Sequence, residues 1–324
     1  MRVLMSGAGA VGARAARYLV AHGDAEAVLV HDTDHRRRGA VVASLGDRAE
    51  AVDDPDPADV DLVLLAGPSS RHCAVARSAV AAGRQVVSVA DSLAAVAGLL
   101  DLHAEAVERG VTVAVGAGFG PGLSCVLARH AAAGFDVVDE VHVARHGTGG
   151  PACARQHHAA LRAVGLDWRD HAWRRRPPGS GRELCFFPDP IGGSDCYRAG
   201  LPDALLLVPA FPGVGRVTAR VAATRRDRVT AGLPMLRRPH AEGRIGALRV
   251  EVRGRRGRTH DTVVLGAVDR PAVAAGTVAA VTARWVASGR TAAGAAGLAT
   301  LVEPLPFLNE LAQAGVRAAV FEGT

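Results

Sequence analysis

Residues 3–20 read VLMSGAGAVGARAARYLV: an apolar run, a turn holding Gly7, Gly9 and Gly12, then a segment with helical periodicity. No other feature restricts the fold as tightly. A G-x-G-x-x-G turn that leaves a strand and opens a helix suits a βα corner of a parallel sheet. Its glycines allow a tight turn, close helix–strand packing and close approach of a pyrophosphate. The phosphates then meet the positive end of the helix. Gly7, Gly9, Ala10, Val11 and Gly12 are therefore the first expected cofactor contacts. Asp32 stands 20 residues beyond Gly12, at the end of the next apolar run. A carboxylate there accepts hydrogen bonds from the adenosine ribose hydroxyls and repels a 2′-phosphate, which favours NAD. Arg36, Arg37 and Arg38 follow directly, and one of them could reach a 2′-phosphate, so NADP stays open.

The first ~120 residues continue the alternation that such a corner requires. RVLMS, AVLVHD, RAEAV, DLVLLAG, RQVVSVA and VTVAVGAG read as strands. AVGARAARYLVAHG, SSRHCAVARSAVAAG and one long SLAAVAGLLDLHAEAVERG read as helices, with a charged helix after the second strand. DLVLLAG is nearly all apolar, as in a strand covered on both faces. The order predicts an α/β fold with a doubly wound parallel sheet and right-handed crossovers. Beyond residue 134 the pattern changes to longer alternating strands, DEVHVARHG, RVTARVAATRRD and ALRVEVRGRRGRTHDTVVLGAV, the last with a hairpin at residues 254–258. These predict a second α/β domain with a mixed or antiparallel sheet, followed by the helix PAVAAGTVAAVTARWVASG. The expected division is a dinucleotide-binding domain over 1–122, with about 290–324 packing back on it, and a substrate-binding and dimerisation domain over 123–289. No internal repeat is visible.

In sheets of this kind ligands bind at the carboxyl ends of the strands. Gly67, Pro68 and Ser69 follow DLVLLAG and are expected beside the pyrophosphate and nicotinamide ribose. Ala90, Asp91 and Ser92 end RQVVSVA: Ala90 is placed on the cofactor, Asp91 is the first candidate for proton transfer, and Ser92 faces the substrate. Asp91 and Ser92 equally suit the cap of the following helix. A second glycine turn, Gly116-Ala117-Gly118-Phe119-Gly120-Pro121-Gly122, lies between another strand and helix. Gly118, Phe119 and Pro121 are expected at the nicotinamide end and Gly122 on the substrate side, with Pro121 in the first turn of the helix.

The order GAGAVG, SVADS, a long helix, then VTVAVGAGFGPGLSCVLA resembles the saccharopine dehydrogenase-like oxidoreductases, a group with saccharopine reductases, lysine 6-dehydrogenase and carboxynorspermidine dehydrogenase. Gly118-Phe119-Gly120-Pro121-Gly122-Leu123-Ser124 matches their G-x-x-PG-L-S signature, and the tail TLVEPLPFLNELAQAGV is similar to their C-terminal end. The resemblance implies a Rossmann domain, a second α/β domain inserted before terminal helices, hydride transfer at a carbon–nitrogen bond, and homo-oligomers, here expected as a homodimer. Where the family often carries a GG-L-P segment, this chain departs from it and reads Gly147-Thr148-Gly149-Gly150-Pro151, with Gly149 and Gly150 as candidate substrate contacts. FFPDPIGGSDCY resembles the family's Phe-Pro-x-Pro strand and loop. The following RAGLPDALLLVP lacks the His and Glu often found in the amino-acid enzymes, so the resemblance supports the chemistry more than the substrate.

The chain has no lysine, and all 38 basic residues are arginine. Proton transfer must therefore use other groups: Asp91, Tyr197, His157, His158 or His72. Arg155 or Arg198 could clamp a substrate carboxylate. Cys125 in a first helical turn could serve as a nucleophile, though a small buried helix residue is the commoner case. His142 and His146 are four apart, yet VHVARH alternates like a strand and no third ligand is evident, so no metal is expected. A net charge of +6 with aromatics at only 4% gives no base-stacking platform, which argues against nucleic acid. No apolar run reaches the ~18 residues of a membrane span, MRVLM enters the glycine turn without a separate leader, and the five cysteines are scattered; the reading is a cytoplasmic protein. Two other functions compete with an oxidoreductase acting on an amino-acid-like or polyamine-like substrate: a non-catalytic dinucleotide sensor, and a reductase of C=O or C=C bonds. Turnover separates the first, because a sensor binds cofactor and never consumes it.

Overall fold

Short apolar runs become short strands, and the first of them build one sheet. In the computed structural model, which describes residues 1–233, 235 and 239–320, the elements begin with β1 (Arg2–Ser6), α1 (Ala10–Ala21), β2 (Ala27–His31), α2 (His35–Leu45) and β3 (Ala49–Ala51). They continue with β4 (Leu62–Leu65), α3 (His72–Ala81), β5 (Gln85–Ser88), α4 (Leu93–Leu100), α5 (His103–Glu108) and β6 (Thr112–Val115). All residues of β4 and β6 are buried, as a sheet covered on both faces demands. Each buried Val or Leu contributes roughly 1.5–3 kcal/mol.

The chain then runs through α6 (Leu123–Ala131), β7 (Val137–His146), α7 (Pro151–Ala160), β8 (Gly165–Arg169), β9 (Ala172–Arg176), β10 (Glu183–Phe187) and β11 (Gly192–Tyr197). Next come α8 (Asp203–Leu207), β12 (Arg216–Ala222), α9 (Arg225–Thr230), β13 (Gly246–Arg256) and β14 (Thr259–Asp269). Last are α10 (Pro271–Ala287), β15 (Gly294–Gly297), α11 (Leu298–Leu301), α12 (Pro304–Gln313) and β16 (Ala318–Val320). Two compact units result, Met1–Gly122 with Ala272–Val302, and Leu123–Pro271 with the residues from Glu303 onward.

The first unit holds a seven-stranded sheet in the order β15-β6-β5-β4-β1-β2-β3, every neighbouring pair parallel. The order reverses beside β1, which places the crevice for a ligand at its carboxyl end. The second unit holds a nine-stranded sheet, β10-β11-β12-β7-β13-β14-β16, with the β8–β9 hairpin attached to β12. It is mixed: β12 and β7 run parallel, and the other pairs are antiparallel. Among the described residues no helix is long and apolar enough to cross a membrane.

The boundaries differ from those expected at four places. Residues 272–289 belong with the first unit, because Gly276 brings α10 against Val11 and Arg14 of α1 and Arg284 Nε pairs with Asp24 at 3.1 Å. Of the tail, residues 290–302 stay with the first unit and β15 joins its sheet, but β16 pairs with β14, and Phe307 and Leu311 of α12 are fully buried in the second unit. The single helix expected over 92–110 is two, α4 and α5, and the break lets His103 Nδ1 reach the backbone of Ala295, 3.2 Å from its oxygen. Finally, β8 and β9 were not expected at all. Their turn holds Asp170 at φ 52° and His171 at φ 57°, both left-handed, without the glycine that usually announces such a hairpin.

Candidate active site

The expected contacts of the first unit come from five strand ends that the sheet sets side by side. At β1, Gly7 has φ 111°, and a side chain there would collide with the backbone of Gly67, while one at Gly12 would collide with the Gly7 carbonyl. Those two glycines are required by the protein's own packing. Gly9 is not: its φ of −73° suits any residue, and among the described residues no atom beyond its chain neighbours lies within 4 Å of where its Cβ would be. The space over Gly9 is open, and α1 begins there with no side-chain cap on its free N–H groups. An open cradle at an uncapped helix N-terminus fits a pyrophosphate. When bound, a nicotinamide dinucleotide supplies a hydride acceptor or donor.

Asp32, at the end of β2, is 9% exposed and accepts three hydrogen bonds. Ala8 N–H donates to Oδ2 at 2.8 Å; Asp34 N–H and Arg37 Nη2 donate to Oδ1 at 2.8 and 2.9 Å. Burial alone would raise the Asp32 pKa, but the donors from Asp34, Arg37 and Ala8 outweigh it and hold the carboxyl below its ordinary range. It stays charged. The three arginines part company: Arg37 lies on Asp32 and Asp34, Arg38 donates to Val52 O at 3.0 Å, and Arg36 is exposed.

At the ends of β4 and β5, Ser69 Oγ donates to Asp91 Oδ1 at 3.1 Å, and both residues are half-buried. Ser92 caps α4 by accepting from Ala95 N–H at 3.3 Å, so its hydroxyl has a structural task. His72 ties the same two loops together, and it is only 2% exposed. Its Nε2 lies 3.1 Å from the Gly67 carbonyl, which can only accept, so Nε2 carries the proton. Nδ1 then accepts from Ser88 Oγ at 2.8 Å, and Ser88 Oγ accepts from Ala90 N–H at 3.2 Å. Burial pushes the His72 pKa down to about 4, against the smaller upward effect of the Gly67 carbonyl. A neutral imidazole thus fixes the positions of Gly67 and Ala90. His72 entered the sequence reading as a proton-transfer candidate; the structure encloses it instead.

The second glycine turn closes on itself: Gly118 N–H donates to Pro121 O at 3.0 Å, and Ala117 N–H to Ser88 O at 2.7 Å. Gly122 has φ 128°, and a side chain there would meet the backbone of Gly118. Phe119 is 7% exposed and Pro121 is buried, and Pro121 precedes α6 rather than standing in its first turn, because the helix starts at Leu123. What the turn can offer a ligand is backbone. Ser124 and Cys125 are both fully buried on α6, which leaves the Cys125 thiol out of reach as a nucleophile.

In the second unit, a cavity of about 480 Å³ is lined by His146, His157, His158, Asp195 and Asp227 among others. Gly150 is the N-cap of α7, and Gly149 N–H donates to Cys153 Sγ at 3.4 Å, beside Thr148 of the cavity wall. Arg155 is exposed and not part of that wall. Burial pushes the His157 pKa down to about 4, with Arg145 nearby acting in the same direction. Burial likewise lowers that of His146, whose Nδ1 is buried without a hydrogen-bond partner among the described residues. Tyr197 was expected in a loop; it ends β11, is 2% exposed within an apolar cluster, and lies under the Arg228 guanidinium at 4.3 Å. Arg198 is held by buried Asp167 at 2.6 Å and so is not available to clamp a carboxylate. His142 and His146 lie on one strand about 13 Å apart along it, and His142 is bonded to Thr218 and Glu140, each at 2.8 Å.

The sequence reading missed Asp195, Asp227 and His146 as cavity residues, and it missed Asp203. Asp203 is 1% exposed, accepts from Ser124 Oγ at 3.1 Å, and burial raises its pKa. A lone Asp inside the apolar run LPDALLLVP was the available signal.

Residues 3–114 match the family model described as the saccharopine dehydrogenase NADP binding domain. The match covers the greater part of the first unit. That unit carries a nicotinamide-dinucleotide-binding domain, and the protein is a nicotinamide-dinucleotide-dependent oxidoreductase. Solved structures share the fold. Saccharopine dehydrogenase (L-Glu forming) from Saccharomyces cerevisiae aligns over 99% of this chain and 99% of its own, at 16% identity and a TM-score of 0.72. An amine dehydrogenase from Mycobacterium smegmatis aligns over 94% and 96%, at 11% identity and 0.53. A probable dehydrogenase from Thermotoga maritima aligns over 99% and 98%, at 13% identity and 0.50. At such identities these likenesses establish the architecture of the chain, and the match over residues 3–114 carries the cofactor.

Proposed function

We propose that the protein moves a hydride between the nicotinamide and a carbon–nitrogen bond of a small amine or imine. The observation that carries the reading is the Asp91–Ser69 pair, a half-buried carboxylate hydrogen-bonded across the carboxyl ends of β5 and β4. Amine oxidation releases a hydride from carbon and a proton from nitrogen, so a base must stand at the crevice. Asp91 has the position for it. His157 is the second candidate, since a neutral imidazole accepts a proton directly. Tyr197 is not retained, because its ring is enclosed in the core. Two relatives support the choice of bond: they are named for the dehydrogenation of saccharopine and of amines.

NAD is the favoured dinucleotide. Asp32 keeps its charge, and Arg37 is held on it and on Asp34 rather than free for a 2′-phosphate. The test is turnover followed by the absorbance of the reduced nicotinamide, with a panel of amines in one direction and carbonyl-plus-ammonia mixtures in the other. Asp91→Asn should lower kcat about 10²- to 10⁴-fold while leaving dinucleotide affinity unchanged. A protein that binds the dinucleotide and turns over none of these pairs is a sensor, and the reading fails.

A further inference from the structure

Two cysteines of the second unit meet across a hairpin. Cys185 lies on β10 and Cys196 on β11, which run antiparallel with Cys185 opposite Ser194 and Glu183 opposite Cys196. Residues two apart on a strand share a face, so the two thiols are diagonal neighbours on one side of the hairpin. Both are free, and both join one apolar cluster with Phe187, Ala144, Ala222 and Ala247. They are not equivalent. Cys185 is 7% exposed and Cys196 is fully buried. A hydrogen bond from the Cys196 thiol holds the Cys185 pKa down, and Arg220 and Arg249 act the same way, against burial and Glu183. A thiol favoured as thiolate beside guanidinium groups is the reactive kind. The same hydrogen bond, with burial, raises the pKa of Cys196 and keeps it a thiol. Among the described residues β10 is the outermost strand on its side of the sheet, paired only with β11. An edge strand opens locally at less cost than a central one, which gives a small oxidant a path to Cys185.

We infer that Cys185 and Cys196 form a reversible oxidation site, closed to a disulfide by a hydroperoxide, and that its closure reshapes the cavity wall. With hydrogen peroxide, the Cys185 thiolate attacks one oxygen, the O–O bond breaks, and hydroxide leaves with the proton that the thiol had given up. Cys185 is then a sulfenic acid. The Cys196 sulfur bonds to the Cys185 sulfur, and its proton departs with the sulfenic hydroxyl as water. Two thiols lose two electrons, and one peroxide becomes two waters. A dithiol reverses the step by exchange. Diagonal partners stand about 7–8 Å apart at Cα, beyond the roughly 4.4–6.8 Å that a disulfide spans. Closing the bond therefore draws β10 along β11 by about 1–2 Å. The cavity wall meets that slide at Ser194 opposite Cys185, at Asp195 beside Cys196, and at His146, whose ring lies edge-on to Phe187 of β10 with centroids 5.8 Å apart. None of this depends on the proposed C–N chemistry.

The experiment treats the full folded chain with a small molar excess of hydrogen peroxide, alkylates the remaining thiols in denaturant, and digests with trypsin. The chain has no lysine, and no arginine stands between Arg182 and Arg198, so both cysteines fall in the peptide 183–198. That peptide should lose both alkylation sites and two hydrogens, and dithiothreitol added before alkylation should restore both sites. Cys196→Ser keeps a donor to Cys185 but has no second sulfur, so oxidation should stop at a sulfenic acid that dimedone traps on Cys185. Cys185→Ser should leave Cys196 alkylated. For the cavity, the ring signals of His146 in NMR spectra, assigned by their loss in His146→Gln, should shift on oxidation. Those of His103 in the first unit should stay in place. Alkylation at both positions after peroxide, a disulfide to another cysteine, oxidation of Cys196 in Cys185→Ser, or a closed bond with the His146 signals unmoved would overturn the inference.

Discussion

The carboxyl edge of the first sheet and the cavity of the second unit are made of different material. At the edge, the working groups are backbone: the open N–H groups at Gly9, the self-closed turn at Gly118–Pro121, and loops tied by His72 and Ser88. In the cavity they are side chains, His146, His157, Asp195 and Asp227, carried by four separate elements. A backbone site depends on conformation, so it needs glycines at fixed spacing. A side-chain site depends on what tertiary packing brings together, and leaves no spacing behind.

The largest effect belongs to Gly9. With open space above it and an ordinary φ, Gly9→Val should fold normally and lose about 100-fold or more in dinucleotide affinity, because the new side chain occupies the cradle. Calorimetry with NADH and NADPH reads the loss, and thermal denaturation should show an unchanged midpoint. Gly12→Ala should do the reverse, destabilising the fold before any ligand is added, since its Cβ meets the Gly7 carbonyl. If Gly9→Val binds as wild type, the edge is not a backbone site and the contrast collapses.

How far the sequence reaches follows from the same contrast. The parallel order of the first sheet, the Gly7–Gly12 corner and the strand-end positions of Ser69 and Asp91 could be read because period, turn chemistry and strand ends are local properties. The partition of α10 could not: its apolar pattern reveals that it is buried but not against which unit, and Gly276 against α1 decides that. The β8–β9 hairpin escaped because Asp170 and His171 adopt left-handed φ without glycine. His157 was chosen for its place after Gly149-Gly150, but Asp195 and Asp227 were not, since nothing in SDC or RRD distinguishes a cavity wall from a solvated face.

A pH experiment sharpens the description of the edge. The His72 pKa lies at about 4 in the folded protein against an ordinary 6.5. Above pH 6.5 both folded and unfolded chains hold this ring neutral. As pH falls toward 4, the unfolded chain takes up a proton that the folded one refuses, so stability is lost across that window and levels off below it. The loss is on the order of 3 kcal/mol for this group. His72→Gln keeps a donor for Gly67 and an acceptor for Ser88 but does not titrate. Thermal denaturation followed from pH 7 to 4 should therefore show a shallower decline in the variant, with His157 supplying part of what remains. Identical slopes would mean that His72 is not held neutral.

A smaller shift is expected at Asp32. Asp32→Ser removes the carboxylate that repels a 2′-phosphate and leaves Arg37 with Asp34 alone as its carboxylate partner. The ratio of NADP to NAD in kcat/KM should rise by about tenfold, the scale of one charge–phosphate interaction at a half-exposed site. An unchanged ratio would place the dinucleotide choice elsewhere, with Arg36 the first residue to replace.

The smallest effect is the sharpest test of where the two kinds of site divide. Tyr197 is chemically suited to acid–base work, yet it is 2% exposed, packed with Leu161, Val221 and Ala219, and covered by Arg228 at 4.3 Å. Tyr197→Phe keeps the ring and the cation above it and deletes one hydroxyl. If the ring serves packing, kcat should change less than about twofold and the denaturation midpoint should move by no more than a few degrees. A large fall in kcat at unchanged stability would show that the hydroxyl reaches the reacting atoms. The enclosed residues of the second unit would then have to be counted with its cavity, and burial would no longer separate packing from chemistry there.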